Sequence, residues 1–257
     1  MLKKKIAIIT GGGGFFAYQH ALAMHKINAE ILLIDINKEK LLEIKTNLKK
    51  INVLVNIIKV DITKESEILK LKKTVVKRFR KIDILINNAS IDHIPSKKNV
   101  EFKNLTLKSW NKEIGVGLTG TFLCSKILGG LMAKQKSGVI LNISSDLSII
   151  APDQRIYSHL KFEKPITYSA IKHGIVGITK YLAAYWGKYN VRVNCISPGG
   201  IENKQNKLFI KKISKLIPLG RMAKTNEYIG AIKFLCSEDS SYITGQNLIM
   251  DGGRSII

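Results

Sequence analysis

Short runs rich in isoleucine and valine alternate along this chain with longer stretches whose apolar residues recur every three or four positions. The runs are Lys5–Thr10, Glu30–Asp35, Val53–Val60, Asp83–Ile86, Gly138–Ile143, Val191–Ile196 and Asn247–Met250. Between them, "NKEKLLEIKTNLKK", "TKESEILKLKKTVVKRF" and "TYSAIKHGIVGITKYLAAYW" carry the period of amphipathic helices. Near-continuous apolar runs mark strands buried on both faces. Their alternation with helices predicts an α/β fold, a doubly wound parallel sheet with helices on both faces. Ligand is then expected beyond the carboxyl ends of the strands, where the strand order reverses. No repeat, low-complexity block or linker interrupts the pattern, so residues 1–257 are expected to form a single domain.

The first run ends in "TGGGGFFAYQ". Gly12, Gly14 and Ala17 fit the spacing G-x-G-x-x-[G/A], between a strand and a helix as the motif requires. Gly12 permits the tight turn, Gly14 lets the backbone approach a pyrophosphate, and Ala17 keeps the helix close to the sheet. The helix N-terminus supplies N–H groups and partial positive charge. Asp35 closes the second run at the distance expected of a ribose-binding acid. Together these predict a Rossmann-type dinucleotide site. A carboxylate there accepts bonds from ribose hydroxyls and repels a 2′-phosphate, and the glycine loop carries no Arg or Lys to offset it, so NAD(H) is the expected cofactor.

Composition narrows the partners. The chain has 257 residues, 45% of them hydrophobic, and a formal net charge of +23 from 42 Lys+Arg against 19 Asp+Glu. Such a charge favours acidic partners, yet the lysines are spread throughout and no nucleic-acid module accompanies them, so no specific nucleic-acid binding is expected. Cys124, Cys195 and Cys236 lie far apart with no histidine at ligand spacing, which predicts neither zinc nor disulfides and fits a reducing cytoplasm. The basic opening imitates a signal peptide, but its apolar run stops at Thr10, and no segment approaches 18 uninterrupted apolar residues, so no membrane partner is expected.

The chemistry is carried further along. In "YSAIK", Tyr168 and Lys172 stand at i and i+4, on one face of a helix. A phenol with a pKa of about 10 is a poor proton carrier at neutral pH. A neighbouring ammonium favours the phenolate and brings it into a useful range. In "GVILNISSD", Ser145 lies just beyond a strand end, on the ligand side of the sheet. A Tyr/Lys pair at this spacing is common by chance, and by itself it reads better as core packing.

In company with the rest, it resembles the short-chain dehydrogenase/reductase family in its compact single-domain form. The matching pieces run in order: the glycine loop at 10–17, Asp35, "VDIT" at 60–63, "NNAS" at 87–90, "NISS" at 142–145, "YSAIK" at 168–172, "NCISPGG" at 194–200 and "ITGQNLIMDGG" at 243–253. The resemblance implies Tyr168 as general acid/base, Lys172 as the group that lowers its pKa and holds the cofactor ribose, and Ser145 as the partner of the substrate oxygen. It implies a cofactor site of Gly11, Gly12, Gly14, Phe15, Phe16, Asp35, Asp61, Ile62, Asn88, Ala89, Pro198, Gly199 and Ile201, together with Tyr168 and Lys172. It also implies hydride transfer between nicotinamide and an alcohol or carbonyl, and a homo-oligomer, tetramer or dimer, built on the long helix around 167–187 and the C-terminal segment.

Three departures from the family pattern stand out. Phe15 and Ala17 replace glycines of the loop, and Gly117 in "WNKEIGVGLTGTF" stands where the family carries a catalytic Asn. Gly115 and Gly117 in a helix each cost about 1 kcal/mol against Ala, which predicts a local distortion. The third departure is the gap of 23 residues from Ser145 to Tyr168, widened by "APDQRIYSHLKFEKP". With "KPITYSAIKHG", that segment resembles family members of bacterial surface-sugar and nonulosonic-acid pathways, which suggests a sugar-like or anionic small-molecule substrate. A substrate lid is expected around 199–222. Its Lys204, Lys207, Lys211, Lys212 and Lys215 are expected to form a basic face, with Leu208, Ile213 and Leu216 among its apolar positions, opposite Arg155, His159, Lys161 and Lys164. Two such walls would concentrate an anion, with Arg155 as its bidentate partner. The alternatives are a 3-oxoacyl-carrier-protein-type ketoreductase and a dinucleotide-binding scaffold without turnover.

Overall fold

The apolar runs become the strands of one parallel sheet. The computed structural model describes residues 4–91, 101–160 and 162–257. Its strands are β1 (Ile6–Thr10), β2 (Glu30–Asp35), β3 (Val55–Lys59), β4 (Ile84–Asn87), β5 (Gly138–Ile143), β6 (Val191–Pro198) and β7 (Asn247–Met250), in the order β3-β2-β1-β4-β5-β6-β7. Every pairing is parallel, with Ile8 opposite Leu32 on one side of β1 and Leu85 on the other. β1, β4 and β5 are buried throughout, as central strands covered on both faces must be. The order reverses at β1, between β2 and β4, and the ligand crevice of a doubly wound sheet opens there.

Helices α1 (Ala17–Lys26), α2 (Lys38–Lys49) and α3 (Glu65–Phe79) connect the first half. α4 (Leu107–Gln135), α5 (Ile166–Trp186), α6 (Lys207–Ser214) and α7 (Ile229–Cys236) serve the second. Local chemistry sets their ends. The Asn37 side chain caps α2 by accepting from the Lys40 N–H, and Arg80 ends α3 in the left-handed region. One face of the sheet packs α1 and α7 through Ala21, Met24, Ile229 and Ile232, and the other packs α3, α4 and α5 through Ile68, Leu128, Met132 and Trp186.

Among the described residues, α4 is long and apolar enough to cross a membrane by length and composition. Here its Leu123, Cys124, Ile127, Leu128 and Met132 are buried in the core. The distortion expected from its glycines is present: 115–119 and 125–129 are wide π-helical turns. All three cysteines are free and buried. Burial pushes the thiols of Cys124, Cys195 and Cys236 up to about 12, 11 and 12, which leaves no nucleophilic thiolate at neutral pH.

Candidate active site

The crevice begins with the glycine loop. Gly11 sits at φ +64, and a Cβ there would fall 2.8 Å from the Ala89 Cα. A Cβ on Gly12 would lie 2.6 Å from the Leu33 Cβ. Both positions therefore demand glycine. Asn88 braces the loop from β4, donating through Nδ2 to the carbonyls of Thr10 and Gly11, while the Thr10 hydroxyl accepts the N–H groups of Asn88 and Ala89. Phe16 stands at the N-cap of α1 with no side-chain cap; the Gly14 carbonyl takes the Ala17 N–H, and no side chain caps the N–H groups of Tyr18 and Gln19, where an anion can bind. Phe15 is half exposed, and Phe16 packs inward against His20 and Tyr228.

At the end of β2, Asp35 accepts the Gly13 N–H on Oδ2 at 3.0 Å and the Asn37 N–H on Oδ1 at 2.9 Å. Each oxygen keeps a second lone pair for a ribose hydroxyl. Farther along, Asp61 Oδ1 accepts the hydroxyl and N–H of Thr63. Burial raises the Asp61 pKa, but these bonds and Lys64 outweigh it and hold the carboxyl below its usual range. Ile62 is buried. Across the crevice, the Gly199 N–H donates to the Met250 carbonyl, and its backbone passes so close to Asp251 that a Cβ would lie 2.7 Å from the Asp251 Cα. Pro198 ends β6, and Ile201 is buried in a bridge to Ala223. The loop, the uncapped helix and the Asp35 carboxylate fit a nicotinamide dinucleotide.

His20 underlies the loop, its Nε2 3.0 Å from Asn88 Oδ1. Burial lowers its pKa to about 4, against a smaller opposing pull from Asn88. The neutral ring is therefore native, while the unfolded chain takes up a proton below about pH 6.5. Stability attributable to this ring is complete above that pH and falls as pH drops toward 4. It amounts to about 2 kcal/mol lost by pH 5. Acid titration of Tm should thus be shallower in His20→Gln than in wild type, and parallel curves would reject this role.

The predicted reacting groups lie at the end of β5 and on α5. Lys172 is buried; its Nζ donates to the Ile143 carbonyl at 3.0 Å and lies 5.4 Å from the centre of the Tyr168 ring. The Ser144 hydroxyl donates to the Lys172 carbonyl at 2.8 Å, locking α5 to the strand end that carries Ser145. Ser145 is buried and bonded to Asp146. A second ammonium, from Lys164, lies over the Tyr168 ring at 3.7 Å. Two cations at one phenol favour the phenolate. Gly117 faces α5 where a Cβ would meet Ile171 Cγ2 at 2.7 Å, so an Asn side chain has no room there. On the same seam Thr167 donates to the buried carboxylate of Glu113.

The predicted basic walls are rearranged. Arg155 is an outside residue, its side chain 89% exposed and its Nε and Nη2 both taken by the Asp153 carboxylate. An acid two residues away satisfies the guanidinium locally, so Arg155 is not the substrate's bidentate partner. The lid and the inserted segment also do not oppose each other. α6 buries Phe209 and Ile213 against Ile156, Tyr157 and Phe162, with Tyr157 stacked on Phe209 at 5.4 Å. Lys212 then donates to the Ser158 hydroxyl across the seam. Lys204 precedes the helix at φ +56, and Lys207, Lys211 and Lys215 face solvent. Lys161 lies outside the described residues. Both ring nitrogens of His159 are buried without a partner among the described residues. Sequence reasoning missed Asp146 and Arg254, whose only signal is an acid after "NISS" and an Arg after "DGG".

Comparison with known proteins agrees with this geometry. Residues 16–255 match the family model described as enoyl-(acyl carrier protein) reductase. An NAD-dependent glycerol dehydrogenase of Listeria innocua is 33% identical over 98% of this chain and 94% of its own. A D-threitol dehydrogenase of Mycolicibacterium smegmatis is 30% identical over 99% and 94%. The crystal structure of a short-chain dehydrogenase from Leptospira borgpetersenii with bound NAD+ superposes with a TM-score of 0.87, at 34% identity, over 98% of this chain and 93% of that one. With its all-parallel sheet, its dinucleotide crevice and its Tyr168–Lys172 pair, the chain belongs to the short-chain dehydrogenase/reductase family, oxidoreductases of alcohol and carbonyl groups that bind a nicotinamide dinucleotide.

Proposed function

We propose that the protein is an NAD-linked dehydrogenase that interconverts an alcohol and a carbonyl on a small, polyhydroxylated, sugar-like substrate. The observation that carries the chemistry is the buried Lys172 ammonium, fixed on the Ile143 carbonyl and set against the Tyr168 ring. In the oxidative direction Tyr168, as phenolate, takes the hydroxyl proton of the substrate. In reduction it returns that proton to the carbonyl oxygen. Ser145 hydrogen-bonds the same oxygen and stabilises the charge that gathers there. A bound nicotinamide supplies the hydride acceptor or donor. Gly11, Gly12 and Gly14 with the open end of α1 would hold its pyrophosphate, and Asp35 its adenosine ribose.

The choice of NAD over NADP rests on Asp35, whose two oxygens are each fixed by one backbone N–H, of Gly13 and of Asn37. A 2′-phosphate brought there meets a fixed like charge. Replacing Asp35 by Ala is expected to narrow the kcat/KM preference for NAD by at least about tenfold. Equal use of both cofactors by the wild type would refute the assignment. The polyol reading is supported by relatives that act on glycerol and threitol. A second reading, reduction of a carrier-bound 3-oxoacyl group, is favoured by a 3-oxoacyl-(acyl-carrier-protein) reductase of Thermotoga maritima at 30% identity. Faster turnover of an acetoacetyl thioester than of any polyol would select it. We also propose a cytoplasmic homo-oligomer.

A further inference from the structure

One buried ion pair stands beside the reacting end of the sheet, outside the groups already assigned roles. Asp146 and Arg254, 3% and 7% exposed, meet at 2.8 Å between Oδ2 and Nη1 across a sequence separation of 108 residues. Such a pair costs desolvation that an apolar pair of the same shape avoids, so stability alone is a weak reason for it. The other carboxylate oxygen, Oδ1, accepts the Ser145 hydroxyl at 2.8 Å and the Leu147 N–H at 2.9 Å. Leu147 N–H also reaches Ser145 Oγ at 3.2 Å, and the Ser148 hydroxyl holds the Ser145 carbonyl at 2.7 Å. Arg254 is itself built into a rigid turn after β7. Asp251 accepts the N–H groups of Gly253 and Ser255, and Gly252 and Gly253 sit at φ +69 and +90.

We propose that Arg254, acting through Asp146, is a positioning residue for the Ser145 hydroxyl, so that the turn at the end of β7 belongs to the active site. The proposal rests on the reading of Ser145 as the partner of the substrate oxygen. A serine hydroxyl has one proton and rotates freely. The Asp146 carboxylate selects one rotamer, because Arg254 holds it through Oδ2 and the Leu147 N–H through Oδ1. From that rotamer, turning the O–H about the Cβ–Oγ bond hands the proton to a substrate oxygen without moving Oγ. Charge balance gives Arg254 its part. A bare carboxylate bonded to Ser145 would retain the proton and repel negative charge gathering on the substrate oxygen, and the guanidinium offsets both effects.

The test is a double-mutant cycle on the full chain, using whichever of glycerol, threitol or xylitol the wild type oxidises with NAD. Arg254→Gln is expected to lower kcat about 10- to 100-fold with the KM for NAD within about twofold, and Arg254→Lys to recover most of the loss. In a Ser145→Ala background the same change should cost under about twofold, because the two act as one unit. An equal cost in both backgrounds would overturn the proposal. If Arg254→Gln does not fold, Asp146→Asn/Arg254→Gln, which removes both charges together, takes its place in the cycle. A crystal structure of the Arg254→Gln or the double variant with NAD needs no turnover. It should show the Ser145 side chain in more than one rotamer, and a single unchanged rotamer rejects the proposal. A wild type that oxidises none of the polyols counts against the proposed function and leaves the rotamer to decide this inference.

Discussion

Tyr168→Phe is expected to lower kcat by about 10³-fold while leaving the Kd for NADH within about twofold. The substitution removes one oxygen and keeps the ring, so the Lys164 ammonium at 3.7 Å and Lys172 at 5.4 Å retain their aromatic neighbour. Lys172 also keeps its bond to the Ile143 carbonyl, because that bond is made to β5. What disappears is the group proposed to exchange a proton with the substrate oxygen. Lys172→Ala is different in kind: it withdraws the ammonium set against the Tyr168 ring and the group proposed to hold the cofactor ribose, so it should lower kcat and weaken NADH binding together. Initial rates beside a fluorescence titration with NADH separate the two. Retention of most activity by Tyr168→Phe would remove the acid/base assignment.

Gly117→Asn is expected to cost about 3 kcal/mol of stability, at the upper end for overpacking, and to disturb catalysis as well. The substitution restores the residue common in the family, so a reading by resemblance alone expects a gain. The local structure argues the reverse. A Cβ at 117 meets Ile171 Cγ2 at 2.7 Å and Cδ1 at 3.0 Å, and Ile171 is itself buried between Tyr168 and Lys172. Relief requires Ile171 to leave its packed position or α5 to shift, and either disturbs the segment that carries Tyr168 and Lys172. The 115–119 π turn and the bond from the Thr121 hydroxyl to the Gly117 carbonyl belong to this local arrangement. Thermal unfolding measures the effect directly; an unchanged or raised Tm would show that the seam is loose.

The fold was legible because its signal is local. A strand buried on both faces needs a run of apolar residues, and the bounds of β2, β5 and β7 follow from where polar residues and turn residues begin. β3 is shorter than its apolar run suggests, and β6 runs on through Ser197 and Pro198 where hydropathy falls, because pairing with β7 holds it extended. Glycine spacing and the Tyr168–Lys172 spacing are local too: Gly11 and Gly12 leave no space for a Cβ, and Lys172 Nζ lies 5.4 Å from the centre of the Tyr168 ring. The partners were not legible. Periodicity marks α6 as amphipathic, with Leu208 among its apolar positions, yet Leu208 is exposed and Phe209 is buried, because packing on Tyr157 sets the rotation of the helix. A charge in a sequence carries no direction, so Arg155 could be expected in the cleft although Asp153 holds it outside. Asp146 and Arg254 meet only through the folded sheet.

The central claim is that Tyr168, Lys172 and Ser145 run a reversible alcohol–carbonyl conversion on NAD. Its most direct measurement is NADH formation from NAD by the purified full-length protein with a panel of polyols, beside Tyr168→Phe and with NADP in place of NAD. The account predicts turnover of at least one polyol by the wild type, loss of that turnover in Tyr168→Phe, and a clear preference for NAD. NADH binding by the wild type without turnover of any polyol or carbonyl in the panel would contradict it and leave a dinucleotide-binding scaffold.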